Sequence, residues 1–501
     1  MVITMPPKPP STPRFSLESG RERGFERVLK WGVLAVVVAG LIWTIPHWPN
    51  AWRWVNGREM LYVPEHDPNL DQVDLEQVHR ELWTEFLVAA ARATPGSDDE
   101  RLEQARKTLR TAISADENLT EIFDELDGIV TTDRLKGAGA QRRAKWLTRA
   151  WNHYLDLEGK PYFLHGHVTE DRLPIFYAHM YQVVADATAT VGEEELRVRA
   201  VSRLDRINLK EPYLGYASNA DESAIVLSDR IMELAIDRVW PLLGSTSRDR
   251  MDQIFRPMVV AELRRSMPGE TLDLLTKAAA LRATLVQTRR GILKRRCSWL
   301  WLPRPPAIGY TRDELERLSE FVDEGPCAGI TGEELNTLWK TSEKLQAFEG
   351  LEEAAERLAA WVARAIAIHE LRLAADDLLL DEREPRKCGP CTSGDAREVR
   401  AQAAAYVAEL AWSDAPATAL YRICVTSAFL GPHARAREIV MQALGGTCRE
   451  GAPPELTETA RALASKEFGN SEPIELGADF PDRLPVVPAR DQEPERSEEA
   501  G

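Results

Sequence analysis

Along the first third of the chain, apolar residues recur at intervals of three and four: Val78, Leu82, Phe86 and Ala89-Ala90, then Leu102, Ala105, Leu109 and Ile113, then Leu147, Trp151 and Tyr154. That spacing predicts amphipathic helices separated by breaks at Pro95-Gly96-Ser97-Asp98 and Leu135-Lys136-Gly137-Ala138-Gly139. Between Pro161 and Leu209 the pattern shortens to β-favouring runs at Tyr162-Phe163-Leu164, Ile175-Phe176-Tyr177, Tyr181-Gln182-Val183-Val184 and Leu196 to Val201. A small antiparallel sheet of about three strands is expected there. Helical periodicity resumes near Ala220 and runs, with interruptions, to Leu444; Gly350 to Leu380 reads as one long helix.

The fold class expected is therefore mainly α with a small antiparallel β insertion, an α+β chain. Its parts are a helical region at 66–158, the β insertion at 159–210, helical regions at 211–345 and 346–450, and a disordered tail at 471–501 rich in Pro, Glu, Asp and Arg. No repeat of 20–50 residues is evident.

Residues 1–30, with Pro6, Pro7, Pro9, Pro10 and Pro13, read as a disordered cytoplasmic tail. Residues 31–52 hold no charged side chain, and their apolar first half, Gly32 to Trp43, predicts an N-terminal transmembrane helix at the short end of the required length. Lys8, Arg14, Arg21, Arg23, Arg27 and Lys30 precede it, whereas Arg53 and Arg58 after it are soon followed by Glu59, Glu65, Asp67 and Asp71. The positive-inside rule then puts the N-terminus in the cytoplasm and the main domain outside it. No small-x-small cleavage site follows, which favours an uncleaved single-pass anchor over a signal peptide. Arginine outnumbers lysine several-fold and alanine is abundant, a composition typical of GC-rich bacteria; in such a cell the anchor sits in the inner membrane and the domain in the periplasm.

Charge narrows the partners. The first thirty residues carry a net +3 of a chain at −16, leaving −19 for the rest. So acidic a domain repels phosphate backbones, which argues against nucleic-acid binding. Contact with the membrane is expected through the N-terminal helix alone, with a protein partner whose identity the sequence does not specify.

The stretch richest in chemistry is His369-Glu370-Leu371-Arg372-Leu373, which has the spacing of an HExxH zinc helix with leucine in place of the second histidine. Two histidines four apart share a helix face and can grip one zinc. Leu373 cannot, and Asp376, seven residues on, lies too far along the axis to replace it. Arg372 and Asp376 read instead as a surface ion pair spaced i to i+4. Downstream, Gln402-Ala403-Ala404-Ala405-Tyr406 resembles the segment from which gluzincin-type zinc metallopeptidases take a third, glutamate ligand, with glutamine at the glutamate position and Glu398 and Glu409 nearby. The resemblance, confined to Trp361–Leu410, is to a degenerate HExxH peptidase region. It implies a pseudoenzyme that serves a binding or structural role and holds no cofactor.

An active zinc metallopeptidase is the alternative, with His369 and Glu398 as metal ligands and Glu370 as the base that polarises a zinc-bound water. A third reading is a disulfide or redox protein built on Cys388-Gly389-Pro390-Cys391. Those letters match the thioredoxin motif, but the surrounding pattern lacks its strand-to-helix context. All six cysteines follow the predicted anchor, where disulfides can form, so Cys388 and Cys391 are expected to be paired. Two further metal sets are chemically conceivable: His369 with Cys388, Cys391 and His433, and His165 and His167 on one strand face with His179 on a neighbour.

Overall fold

The computed structural model describes residues 66–93, 99–132, 135, 137–169, 175–205, 213–218, 223–244, 249–294, 308–320, 322, 329–380, 396–425, 432–445, 448–453, 455–468 and 472–485. All belong to one unit, Val63–Gly501, and a separate unit, Met1–Tyr62, lies outside the described residues together with the predicted cytoplasmic tail and membrane anchor. None of the described helices is long and apolar enough to cross a membrane.

The chain is mainly helical around one curled sheet. A π-helical turn at Val78–Leu82 leads into α1 (Trp83–Arg92), followed by α2 (Glu100–Ile113), α3 (Glu117–Asp127) and α4 (Gly137–Leu157). The apolar positions read from the sequence are the ones that face inward: Leu102, Ala105, Leu109 and Ile113 on α2, and Leu147, Trp151 and Tyr154 on α4 are all buried. Asp99 and Asp116 start α2 and α3 by accepting backbone N–H bonds from Leu102 and Leu119, groups that have no partner within the helix. Edge-to-face contacts among Trp83, Phe86, Phe123 and Trp151 fill the space between these helices.

The sheet runs β1 (Tyr162–Val168), β2 (Phe176–Val191), β3 (Glu194–Arg203), β5 (Ser223–Leu227), β4 (Gly215–Ser218), with β6 (Ile474–Leu476) added to β2. It differs from the expected antiparallel insertion in three ways. First, β3 and β5 pair in parallel, so the sheet is mixed. Second, the runs at Phe176–Tyr177 and Tyr181–Val184 are parts of one sixteen-residue strand, whose register with β3 shifts between Val183 and Ala185. Third, β4 and β5 lie beyond residue 210, where helix was expected; Ser223–Leu227 is a wholly buried run in which no period distinguishes strand from helix.

The C-terminal expectation also needs correcting for residues 472–485. β6 pairs with Val191, Thr190 and Ala189, and Phe480 and Leu484 are buried. The local composition hides this because the segment is held by tertiary bonds: Gly477 N–H donates to Thr188 O at 2.7 Å, and Thr188 N–H to the Asp479 carboxylate at 2.9 Å. A Cβ at Gly477 would sit 2.8 Å from Thr188 O, so the approach requires glycine. The outer edge of β1 is closed differently: the Asn152 side chain of α4 bonds both the N–H and the C=O of Leu164, each at 2.7 Å, as a neighbouring strand would.

Among the described residues the longest helix is α10 (Leu351–Leu380), and nine more complete the fold. They are α5 (Ser228–Leu234), α6 (Arg250–Ser266), α7 (Gly269–Leu293), α8 (Arg312–Ser319), α9 (Gly332–Gln346), α11 (Ala396–Trp412), α12 (Pro416–Val425), α13 (Pro432–Ala443) and α14 (Leu456–Leu463). Helix α10 is buried over most of its length apart from Glu352 and Glu353 near its start, and α11, α7, α5, β4 and β5 pack against it. Thr311 and Thr331 open α8 and α9 with reciprocal capping boxes. From α6, the buried Glu262 carboxylate accepts N–H bonds from Ala417 (2.6 Å) and Thr418 (3.0 Å), so one helix caps the N-terminus of another. A disulfide joins Cys424, at the end of α12, to Cys448 beyond α13, with a Cα–Cα distance of 5.4 Å.

Candidate functional site

His369 and Glu370 are neighbours on α10, so their side chains leave the helix about 100° apart. His369 faces α11. There Gln402, Tyr406 and Glu409, spaced at four and three, present one face of that helix toward the imidazole. The ring's Nε2 lies 3.2 Å from Gln402 Oε1, its Nδ1 3.4 Å from Glu409 Oε2, and it meets Tyr406 in a T-shaped contact with centroids 4.7 Å apart. The two α11 positions singled out in the sequence thus meet the histidine directly, whereas Glu398 is exposed at the start of the helix and takes no part.

Arg422, on α12, completes the group. Its guanidinium is ion-paired with Glu409 and sits 5.5 Å over the Tyr406 ring. Burial works against that charge, but Glu409, Tyr406 and Glu370 outweigh it and hold the guanidinium proton more tightly than usual. Burial also pushes the Tyr406 hydroxyl up. His433, on α13, is driven down to about 4 by burial and by its electrostatic interaction with His369, Arg437 and Arg422, and is therefore neutral near pH 7.

Glu370 turns the other way, toward β4. Gly215 makes room for it: a Cβ there would stand 2.8 Å from Glu370 Cγ and 2.5 Å from Ile225 O. The residue is 6% exposed, and its Oε2 has no hydrogen-bond partner among the described residues. Burial lifts it from the ordinary 4.5 to about 7, with His369 and Arg422 pulling it back only in part.

The residues implied by a peptidase resemblance do not fit a zinc ion. The position of the second histidine is Leu373, the downstream glutamate is the neutral amide of Gln402, and the carboxylate that does approach His369 is already neutralised by Arg422. Among the described residues no group of three or more His, Cys, Asp or Glu side chains is arranged to hold a metal. Arg372 and Asp376 do form the expected ion pair (Nε–Oδ1 3.0 Å), but Arg372 is 1% exposed, so the pair is buried where a surface pair was expected. Cys388 and Cys391 lie outside the described residues.

A second cluster lies on the sheet. β1 pairs His165 with His179 and His167 with Tyr177, so the three histidines do share a face, as their alternation implied. His179 is buried with Nδ1 3.4 Å from Asp205 Oδ2; burial opposes the charge of Asp205, but His179 and Arg203 hold it below the usual carboxylate range. His167 Nε2 lies 3.2 Å from His165 Nδ1 and 3.3 Å from the Tyr213 hydroxyl. His165 stacks on Tyr216 at 3.9 Å and His167 on Tyr177 at 5.1 Å. Tyr213 and Tyr216 were not foreseen, since β4 itself carried no pattern. Arg422 was missed because an arginine in an apolar helix reads as a solvated position until its carboxylate partner is known. No protein-family model, curated protein or solved structure matches this chain.

Proposed function

We propose that this chain is a single-pass, membrane-tethered bacterial protein whose extracytoplasmic domain has a binding or structural role, and that its HExxH-like helix is a degenerate peptidase element retained as a packing joint. The observation that carries this reading is the Arg422–Glu409 pair beside His369. A guanidinium standing on the one carboxylate that approaches the imidazole supplies positive charge where a divalent ion would have to bring it, and a cation there opposes metal entry. Gln402 then serves as a hydrogen-bond partner for the ring, and the group ties α10, α11 and α12 together. Glu370, turned toward Gly215, acts as a buried helix residue. The Cys424–Cys448 disulfide supports placing the domain in an oxidising compartment.

The test combines metal analysis with a peptidase assay. Purified protein should hold no stoichiometric zinc at His369 and should cleave no peptide. One zinc per chain that is lost in His369→Ala, with proteolysis abolished by Glu370→Gln, would establish the active metallopeptidase instead. Reporter fusions placed after residue 60 and at the C-terminus should both behave as exported; cytoplasmic behaviour at both defeats the topology. Insulin-reductase activity dependent on Cys388 and Cys391 would favour the redox reading.

A further inference from the structure

We propose that His165, His167 and Tyr213 form a binding site for a divalent transition-metal ion of the Cu(II)/Zn(II) class, separate from the His369 group. The argument starts from spacing. A tetrahedral centre with metal–nitrogen bonds of about 2.0–2.1 Å has ligand–ligand edges of about 3.3–3.4 Å. His167 Nε2 stands 3.2 Å from His165 Nδ1 and 3.3 Å from Tyr213 Oη, so two edges of such a figure already meet at one nitrogen. An ion about 2 Å from each of the two imidazole nitrogens would subtend an angle near 100° between them, within the range of tetrahedral and tetragonal sites.

The rings are held in place by their neighbours. His165 lies against Tyr216 with an interplanar angle of 18°, and His167 against Tyr177 at 21°. On the other side of the strand Gly166 packs against Thr148 of α4, where a Cβ would come within 2.9 Å. The strand is thereby pressed onto α4, with His165 and His167 pointing to the opposite face, half-buried and within reach of solvent. His179, with Nδ1 3.4 Å from Asp205 Oδ2, is not counted among the ligands. It borders the site instead, its ring centroid 6.0 Å from that of His167.

The donor set selects the ion. Two imidazoles and a phenol suit Cu(II) or Zn(II) and are poor ligands for Mg(II) or Ca(II), which take carboxylate and carbonyl oxygens. Three protein ligands leave a position open for water or a small ligand. The net −19 of the chain beyond residue 30 further raises the local concentration of cations.

The experiment uses the full chain in detergent, stripped with chelator, and titrated with Cu(II) and, separately, Zn(II). One equivalent of Cu(II) should bind, with electron paramagnetic resonance showing hyperfine coupling to two nitrogens. Zn(II) should compete for the same equivalent. His165→Gln and His167→Gln should each weaken binding by more than the roughly 10- to 100-fold typical of losing a supporting contact, and Tyr213→Phe by less. His153→Gln, on α4, should leave binding unchanged. Circular dichroism checks that each variant folds; if one histidine variant does not, the other and the wild-type nitrogen count still decide. No stoichiometric binding, coupling to fewer than two nitrogens, or binding indifferent to a folded His165 or His167 variant would overturn the assignment.

Discussion

Replacing Glu370 with glutamine should change how stability depends on pH more than it changes stability at any one pH. The wild-type carboxyl rises from 4.5 to about 7 on folding because it is buried against Gly215. Between those values the native state binds a proton that the unfolded chain has released, so stability is fully present below pH 4.5 and is lost as pH rises through 7. At about 1.4 kcal/mol per pKa unit, the full loss is about 3 kcal/mol, of which roughly 2.5 kcal/mol falls between pH 5 and 8. Glutamine does not titrate, so Glu370→Gln should lack this component. The new amide adds a cost or gain of its own, but one independent of pH. His433, held near 4 in the native state against 6.5 unfolded, adds a pH dependence of opposite sign below about pH 6.5, but both proteins share it and it cancels in the comparison. Denaturant unfolding of both proteins at pH 5, 6, 7 and 8 gives the measurement. The variant's stability relative to wild type should climb by about 2–3 kcal/mol from pH 5 to pH 8. Parallel curves, differing by less than about 0.5 kcal/mol in slope over that range, would refute the claim that this carboxyl is desolvated in the native state.

Three further outcomes follow from the packing. The double change Cys424→Ser and Cys448→Ser removes a link across 24 residues and should cost about 3 kcal/mol in unfolding free energy, read by denaturant titration. Glu262→Ala strips the cap from α12 and leaves the Ala417 and Thr418 N–H groups buried without it; a loss of about 2–4 kcal/mol is expected, and Glu262→Gln should recover part of it because an amide oxygen can still accept. Gly215→Ala sets a Cβ against a backbone carbonyl that cannot step aside and should lower the melting temperature, whereas Gly269→Ala, at an open position, should not.

How far the sequence announces this arrangement depends on whether each signal is local. The helix from Gly350 to Leu380 was legible because its alanines and leucines carry both propensity and burial, and it forms over Leu351–Leu380. Gln402 and Glu409 were singled out only through the resemblance to a zinc-peptidase segment, and both do meet His369. What could not be read is whatever one segment owes to a distant one. Ser223–Leu227 becomes a strand because β3 lies beside it, Ile474–Leu476 because β2 does, and Arg422 is buried because Glu409 neutralises it. In each case the local residues permit several outcomes and the partner chooses.

The attachment of β6 to β2 bears on the order in which the molecule can be assembled. Thr188 and Asp479, which bond at this junction, are 291 positions apart. A chain made from its N-terminus has the far half of β2 paired with β3 but open on its outer side until residues 472–485 have emerged. Until then that strand presents unsatisfied backbone groups to any neighbouring chain. Closure over so long a loop is intrinsically slow, and it leaves this edge of the nascent protein exposed to misassociation until β6 has docked.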